Sequence, residues 1–267
     1  MESILDQLRN APQTVREHAN IIWALMLREL ATRYGRDNIG FLWVIGEPLL
    51  FFSAVLTMWT LIRSPYDHGI RLTPFLMTGY MPTLLMRHMI SHTMNCVKAN
   101  AGLLYHRRIS VQHLFFARLA LEFLGVTLAF FVVATILSIY GAIQPPTQFG
   151  LVYAGWLFLA WVTFGISLIL SALGELVEIV DKLVGALTYI LVPISGMFFM
   201  AAWLPDKYRP IALLVPFLNC IEMIRGGFFG HDVRVYYNAW YVAGWGIGTT
   251  FVGLILLSFV RARVEVE

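Results

Sequence analysis

Residues 149–173, FGLVYAGWLFLAWVTFGISLILSAL, contain no charged side chain, and they decide the class of fold. A helix needs about 20 apolar residues to cross the hydrocarbon core of a bilayer. Lipid offers no partner to backbone polar groups, so a helix, which pairs them internally, is the structure expected in such a stretch. Residues 149–173 are therefore predicted to form a transmembrane helix.

Five further apolar stretches satisfy this criterion, some of them imperfectly. They lie near residues 41–62, 75–97, 114–140, 183–202 and 239–260. Over all 267 residues, 58% are hydrophobic and 13% are charged, which is about half the charged share of a soluble domain. The sequence therefore predicts an all-α membrane protein with six transmembrane helices.

The distribution of lysine and arginine orients these helices, because cytoplasmic loops carry an excess of both residues. Twelve of them fall on the side of the two termini, and six fall on the opposite side. The polar N-terminal segment shows no cleavable signal peptide. We therefore expect both termini in the cytoplasm, with an N-terminal tail and interface helix at 1–40, a membrane domain at 41–260 and a C-terminal tail at 261–267.

Residues 20–37 differ from a membrane span because charged side chains interrupt them. One helical face would carry Trp23, Met26, Leu27, Leu30 and Tyr34, while arginine and glutamate side chains cover the rest. This pattern predicts an amphipathic helix that lies in the cytoplasmic interface of the membrane. A surface helix of a soluble subdomain is the alternative.

Residues 203–238 contain two apolar runs, each too short to span a bilayer. Pro205, Pro210, Pro216 and the pair Gly226-Gly227 interrupt these runs. Short apolar runs broken by proline and glycine are typical of re-entrant elements, which enter the membrane and return on the same side. A periplasmic loop with a surface helix is the alternative.

Several kinds of chemistry are not supported by any motif. The sequence has no P-loop for nucleotide phosphates and no H-E-x-x-H zinc motif, and Cys96 and Cys220 belong to no C-x-x-C pair. The net charge of +3 is spread along the chain, without the basic stripe that nucleic acid requires. We therefore predict no catalytic residue, no metal site, no disulfide and no nucleic-acid partner.

Other classes of membrane protein fit the sequence less well. An intramembrane serine protease would need a buried serine and a histidine on a neighbouring span, and Gly165-Ile166-Ser167 is more typical of helix packing. An enzyme that acts on lipid-linked sugars would need convergent carboxylates, whereas the acidic residues are scattered. Composition does not exclude a structural scaffold.

Three groups of residues follow one another along the chain. They are Leu27-Arg28-Glu29-Leu30 through Glu47-Pro48-Leu49, Lys98-Ala99-Asn100-Ala101-Gly102-Leu103-Leu104-Tyr105, and Pro216-Phe217 followed by Glu222 and Arg225. Together they resemble the membrane permeases of ABC exporters for capsular polysaccharide, the KpsM-like family. The resemblance runs from about residue 20 to the C-terminus.

The resemblance implies a permease subunit of the bacterial inner membrane that is not an enzyme and binds no cofactor itself. It implies a homodimer with two copies of a separate ABC ATPase, which would bind ATP and Mg. It also implies a periplasmic adaptor, an outer-membrane polysaccharide exporter, and an acidic, lipid-anchored capsular polysaccharide as substrate. Another lipid-linked glycan, such as O-antigen or teichoic acid, is the alternative within this class, and a membrane enzyme of glycan or lipid assembly is the alternative outside it.

The resemblance also implies roles for particular segments. It implies two short periplasmic re-entrant helices with Glu222 and Arg225 as a periplasmic signature, and an interface helix that carries Arg28, Glu29, Arg33 and Tyr34. Residues 97–113 form the predicted cytoplasmic coupling loop, for which a passive connector is the alternative, and residues 175–182 form a second, smaller contact. The ATPase-coupling candidates are Asn100, Gly102, Leu103, Tyr105, Arg107, Arg108, Glu178 and Asp181.

Ionisable residues within a span are costly and indicate function. Arg87, His88 and His92 lie in the second predicted span, where Arg87 would meet an anionic sugar, pair with another helix or extend to an interface. Aromatic rings can pack against the C–H faces of sugars, although interface belts and ordinary packing are the alternatives for each ring. The aromatic path candidates are Trp43, Trp59, Tyr80, Trp156, Trp161, Phe198 and Phe199.

Overall fold

The computed structural model of the protein describes residues 2–34, 40–62, 66–67, 69–104 and 109–264. Its long helices are α1 (Glu2–Tyr34), α2 (Gly40–Ile62), α3 (Leu72–Thr93), α6 (Val111–Ile139), α7 (Phe149–Leu176), α8 (Glu178–Ile194), α10 (Pro216–Phe229) and α11 (Ala239–Val264). Its short helices are α4 (Cys96–Ala99), α5 (Ala101–Leu104) and α9 (Arg209–Ala212). The described residues also include 3₁₀ turns at Ala201–Trp203 and Gly230–Asp232 and a small hairpin, β1 (Tyr66–Asp67) and β2 (Ile70–Arg71), in which Tyr66 pairs with Arg71.

Each of the six stretches predicted to span the membrane contains a helix, although α3 ends at Thr93 within the stretch 75–97 and α8 ends at Ile194 within the stretch 183–202. Four of these helices, α2, α6, α7 and α11, are long and apolar enough to cross a bilayer, judged by length and composition. The all-α membrane class is thus confirmed. Helix α8 has 17 residues, somewhat short of the length that a full crossing needs. Helix α3 has the length but carries several polar side chains.

Helix α3 is buried along most of its length, which explains how it tolerates polar residues. It packs against α6, α7, α8, α10 and α2. Leu76, Met77, Met81, Leu85 and Met86 are fully buried and form the centre of the core. Because protein rather than lipid surrounds α3, its polar side chains find partners among the neighbouring helices.

Helices α7 and α11 make the most extensive contact between elements, and small residues allow it. A Cβ atom on Gly165 would lie 2.6 Å from the backbone nitrogen of Thr250, and one on Gly253 would lie 2.7 Å from the Cβ of Leu168. Both distances are too short for a real side chain, so the backbones approach closely at this crossing. Close approach through small residues is a common mode of packing between membrane helices.

Local signals define where two important helices begin. Ser110 precedes α6 in extended backbone, and its backbone N–H donates to Nδ1 of His113 over 3.1 Å, which forms a capping box. Pro216 occupies the first position of α10, where the missing N–H costs nothing. The first described turn of each helix is thus fixed by its own sequence.

Helix α1 is longer than the amphipathic segment predicted at 20–37, and residues 35–37 lie outside the described part of the chain. Leu25, Met26 and Glu29 are buried against the protein, whereas Trp23 and Leu27 are exposed at the surface of the described subunit. Exposed apolar side chains are what an interface helix would present to the membrane, and that contact stays a prediction.

Candidate functional site

Charged and imidazole side chains from α1, α3 and α6 meet where α1 packs against α6. We call this group the charged joint. Its members are Glu29 and Arg33 of α1, His88 and His92 of α3, and Arg118 and Glu122 of α6.

Arg118 connects the three helices of the charged joint. Its Nε donates to Oε1 of Glu29 over 2.9 Å, and Arg33 Nη2 approaches the same oxygen to 3.2 Å. Arg118 Nη1 donates to the carbonyl oxygens of His92 and Met94, each over 3.2 Å. The last carbonyl groups of a helix lack partners within it, so Arg118 satisfies the end of α3 while it pairs with α1.

Glu122 is the most deeply placed acid of the charged joint, with 5% of its surface exposed. Arg33 donates to its Oε1. Its Oε2 lies 3.0 Å from Nδ1 of His92 and 3.6 Å from Nδ1 of His88. The two histidines are four residues apart on α3 and therefore share one helical face.

Sequence reasoning found some of this joint and missed its centre. It assigned Glu29 and Arg33 to an interface helix and His88 and His92 to a translocation path. It did not single out Glu122, although an acid within the apolar run 114–140 is the expected signal of a buried polar contact.

Helix α1 also contacts the predicted coupling loop. Arg28 Nη1 donates to Oδ1 of Asn100 over 2.9 Å, and Asn100 Nδ2 donates to the carbonyl of Cys96 over 3.0 Å. Asn100 is buried, whereas Gly102 is exposed and no described atom lies within 4 Å of the Cβ that a substitution would add. Leu103 is half-buried.

The remaining coupling and interface candidates are only partly described. Tyr105, Arg107 and Arg108 lie outside the described residues. Tyr34 ends α1 and Glu178 begins α8, but both side chains fall outside the described part of the structure.

The two predicted ATPase contacts are adjacent in space. Asn95, which adopts a left-handed backbone with φ of 55°, places its Nδ2 2.9 Å from both carboxylate oxygens of Asp181. The backbone N–H of Val97 donates to Oε1 of Glu175 over 3.0 Å. The end of α3 is therefore tied to the α7–α8 connection. Asparagine tolerates left-handed backbone better than most residues, which is the sequence signal for Asn95.

Arg87 faces α8. Its guanidinium carbon lies 4.5 Å from the ring centroid of Tyr189, and its Nε is buried without a hydrogen-bond partner among the described residues. Tyr80 lies seven residues earlier on α3, so it shares the face of Arg87. The Tyr80 ring also approaches Phe52 of α2, with 6.1 Å between centroids.

The other aromatic path candidates are distributed over several contacts. Trp59 of α2 stacks on Phe198, with ring centroids 5.3 Å apart and an interplanar angle of 4°. Trp156 is buried, stacks on Phe130 and donates from Nε1 to Thr127 Oγ1 over 3.0 Å.

Trp43 and Trp161 are both exposed at the surface of the subunit. The backbone carbonyl of Phe199 accepts a hydrogen bond from the side chain of Arg225 in α10. The candidates are thus not gathered into one lining within the described subunit.

Arg225 is fully buried in α10 and holds the segment that follows α8. Its Nη1 donates to the carbonyl oxygens of Gly196 over 2.8 Å and Phe199 over 2.6 Å. Its Nη2 donates to the carbonyl of Met197 over 3.0 Å, and its guanidinium carbon lies 4.3 Å from the ring centroid of Phe75. One side chain therefore binds three carbonyl groups within the four residues 196–199.

Glu222 and Asn219 hold two further segments from the same helix. Glu222 accepts from the backbone N–H of Ala201 over 3.1 Å and from that of Tyr236 over 3.0 Å. Asn219 donates to the carbonyl of Leu213 over 2.7 Å and accepts from the N–H of Asn238 over 3.0 Å. Residues 219, 222 and 225 are spaced three positions apart, so they share one face of α10. From this face they bind backbone groups of the segments that precede and follow the helix.

The chain is similar in sequence to known inner-membrane proteins. No protein-family model matches the chain. The chain is 35% identical over 245 residues to the capsule polysaccharide export inner-membrane protein CtrC of Neisseria meningitidis serogroup B, covering 92% of each protein. It is 33% identical over 253 residues to the capsule polysaccharide export inner-membrane protein BexB of Haemophilus influenzae, covering 95% of this chain and 96% of the relative. The polysialic acid transport protein KpsM of Escherichia coli is 26% identical over 242 residues, covering 91% of this chain and 93% of the relative.

Proposed function

Because the chain belongs to the family of capsule polysaccharide export inner-membrane proteins, we propose that it is the membrane-spanning permease subunit of an ATP-driven ABC exporter. Its substrate is an acidic, lipid-anchored capsular polysaccharide, which it moves from the cytoplasm to the periplasm. The observation that carries this proposal is the similarity over more than nine-tenths of both chains to relatives named for capsule export. A third relative is named for the transport of polysialic acid, an acidic polymer.

Six membrane crossings and two re-entrant helices complete the proposed architecture. The crossings are α2, α3, α6, α7, α8 and α11, and both termini are cytoplasmic. Helix α3 crosses because protein shields its polar residues, and α8 crosses together with the segment after it. Helix α10 has 14 residues, too few to span, and it is the longer re-entrant element beside α9.

The chain acts in a homodimer with two copies of a separate ATPase, and it binds neither ATP nor Mg itself. The ATPase docks on the coupling loop at 97–113 and on the connection at 175–182. Support comes from the exposed position of Gly102 and from the contacts of Asn95 and Val97 with Asp181 and Glu175, which place both segments together. Motion of the ATPase then reaches α3 and α7 together. A periplasmic adaptor and an outer-membrane exporter carry the polymer onward.

Arg87 is the proposed contact for the acidic polymer. Its guanidinium lies over the face of the Tyr189 ring, and its buried Nε has no hydrogen-bond partner among the described residues. Tyr80, Trp59 and Phe198 provide aromatic surface on the same proposed path, and they bind a polymer without fixing its register.

Deletion of the gene tests this function, because loss of a permease and loss of an assembly enzyme have different effects on the amount of polymer inside the cell. Loss of a permease leaves finished acidic polymer inside the cell, whereas loss of an assembly enzyme leaves no polymer. We expect intracellular accumulation, restoration of surface polymer by the wild-type chain, and co-purification of the tagged chain with a P-loop ATPase. Absence of the polymer in the deletion strain, or catalytic turnover by the chain alone, would contradict the proposal. Accumulation of O-antigen or teichoic acid instead would assign the other substrate class.

A further inference from the structure

We propose that His88, His92 and Glu122 form a binding site for a divalent first-row transition ion, with Zn²⁺ as the best fit. One ligand atom from each residue lies within 4.8 Å of the others. The ligands come from α3 and α6, so an ion here joins two helices. The site uses His88 and His92, which were predicted for the translocation path, and the sequence analysis predicted no metal site.

The distances between the donor atoms suit a small ion. Zn²⁺ binds imidazole nitrogen and carboxylate oxygen at about 2.0–2.2 Å, so tetrahedral ligands lie about 3.4 Å from one another. Oε2 of Glu122 lies 3.0 Å from Nδ1 of His92 and 3.6 Å from Nδ1 of His88. Both separations are close to the required value, and all three ligand atoms lie within 4.8 Å of one another.

The types of donor select the class of ion. Imidazole nitrogen favours zinc and its first-row neighbours, whereas Ca²⁺ and Mg²⁺ prefer oxygen ligands. Two histidines and one glutamate supply three ligands and leave a fourth position for water, as in open zinc sites. About a third of the His92 side chain is exposed, 34%, which provides a route for the ion.

The surrounding residues orient the ligands and moderate the affinity. Arg33 binds Oε1 of Glu122, which leaves Oε2 directed at the two histidines. Such outer contacts hold metal ligands in place. Arg33 Nη1 also lies 3.4 Å from Nδ1 of His92, and its charge weakens cation binding, although Glu29 partly offsets that charge. The ion displaces protons from the facing nitrogens, so its affinity falls as the pH falls.

Cobalt absorption tests the site in the full-length chain, purified in detergent through a histidine-free tag and stripped with a chelator. Co²⁺ in such a site gives visible d–d bands, and Zn²⁺ abolishes them by displacement. We expect one ion per chain in the wild type and a loss of affinity in Glu122→Gln and His92→Ala that exceeds the roughly 10- to 100-fold cost of losing an outer contact. His231→Ala is the matched control, because His231 is exposed and far from these helices in sequence.

The possible results separate clearly. Absence of cobalt bands in the wild type would overturn the proposal, and so would bands that survive Glu122→Gln. Bands that survive Glu122→Gln but disappear in His18→Ala would assign the ion to His18 and His113, whose ring nitrogens lie 2.7 Å apart. Glu122→Gln preserves the shape of the side chain, so it decides the question even where His92→Ala does not fold. Export is not measured, and this test therefore stands apart from the permease proposal.

Discussion

The described structure relies on a few buried polar residues in an apolar subunit. Arg225, Glu222 and Asn219 each satisfy backbone groups that lie outside any α-helix. Their importance could be predicted from the sequence only through resemblance, because nothing in residues 216–229 indicates which backbone groups they contact. Glu122 could have been found by its position in an apolar run, but its partners on α1 and α3 depend on tertiary packing.

Replacing Arg225 with methionine tests the role of this side chain in stability. The change leaves the carbonyls of Gly196, Met197 and Phe199 without their donor. An unsatisfied buried polar group costs about 1–3 kcal/mol, so a loss of at least about 3 kcal/mol is expected. Thermal unfolding in detergent measures it. Arg234→Met at an exposed position should have little effect, and equal melting of both variants would contradict the assignment.

Replacing Arg87 with alanine tests its contact with the polymer. Export should fall several-fold because the cation is lost, while Arg87→Lys, which keeps the charge, should retain part of the activity. Quantification of surface polysaccharide in complemented cells measures both variants. Normal export by Arg87→Ala together with reduced thermal stability would show that the stacking on Tyr189 is structural.

At the scale of elements, hydrophobic length located the helices well and their ends less well. The predicted stretch 149–173 corresponds to α7, which ends at Leu176. The interface helix was predicted from residue 20 onward, yet α1 begins at Glu2. Composition detects a change from lipid to water, but it cannot detect where a helix continues along a protein surface.

Replacing Gly102 with tryptophan tests the coupling loop. Gly102 is exposed, and no described atom lies within 4 Å of an added Cβ, so we expect a large side chain to point outward, where it would obstruct a docked ATPase. Export should be lost, while the chain folds normally. The rate of ATP hydrolysis by the ATPase should no longer change when the chain is present. Gly150→Trp, at an exposed position at the other end of the bundle, is the control. Full export by Gly102→Trp would support the passive-connector alternative.

Replacing Gly165 with alanine tests the crossing of α7 and α11. The added methyl group would overlap the backbone at Thr250, and overpacking costs about 1–3 kcal/mol. Gly248→Ala makes the same chemical change on α11 in open space, where alanine is the better helix former by about 1 kcal/mol. Thermal unfolding should separate the two variants. A wild-type melting temperature for Gly165→Ala would mean that the helices are less closely packed.

At the scale of the whole molecule, the number of crossings sets which connections face the same compartment. Helices α2, α6, α7 and α11 alone would place residues 140–148 in the cytoplasm and residue 182 outside. Six crossings, with α3 and α8 included, reverse both assignments. Apolar length predicted six helices, but crossing by α3 depends on burial that composition cannot show.

Cysteine labelling distinguishes these two arrangements. Cys96 and Cys220 are buried and free, so they provide a low background for impermeant maleimides. In spheroplasts, Tyr140→Cys should react, because Tyr140 is 82% exposed and periplasmic in the six-span arrangement. Lys182→Cys should react only after the membrane is permeabilised. The opposite pattern would establish four crossings.

The anchoring of separate backbone segments by α10 has a consequence for biosynthesis. Gly196 leaves the ribosome 29 residues before Arg225, and Tyr236 follows Glu222 by 14 residues. The segment after α8 therefore stays without its partner until most of the polypeptide has been made, and α10 in turn awaits the residues that follow it. A chain truncated before residue 225 would already contain α2, α6 and α7, yet the carbonyl groups of Gly196 and Met197 would lack their hydrogen-bond donor.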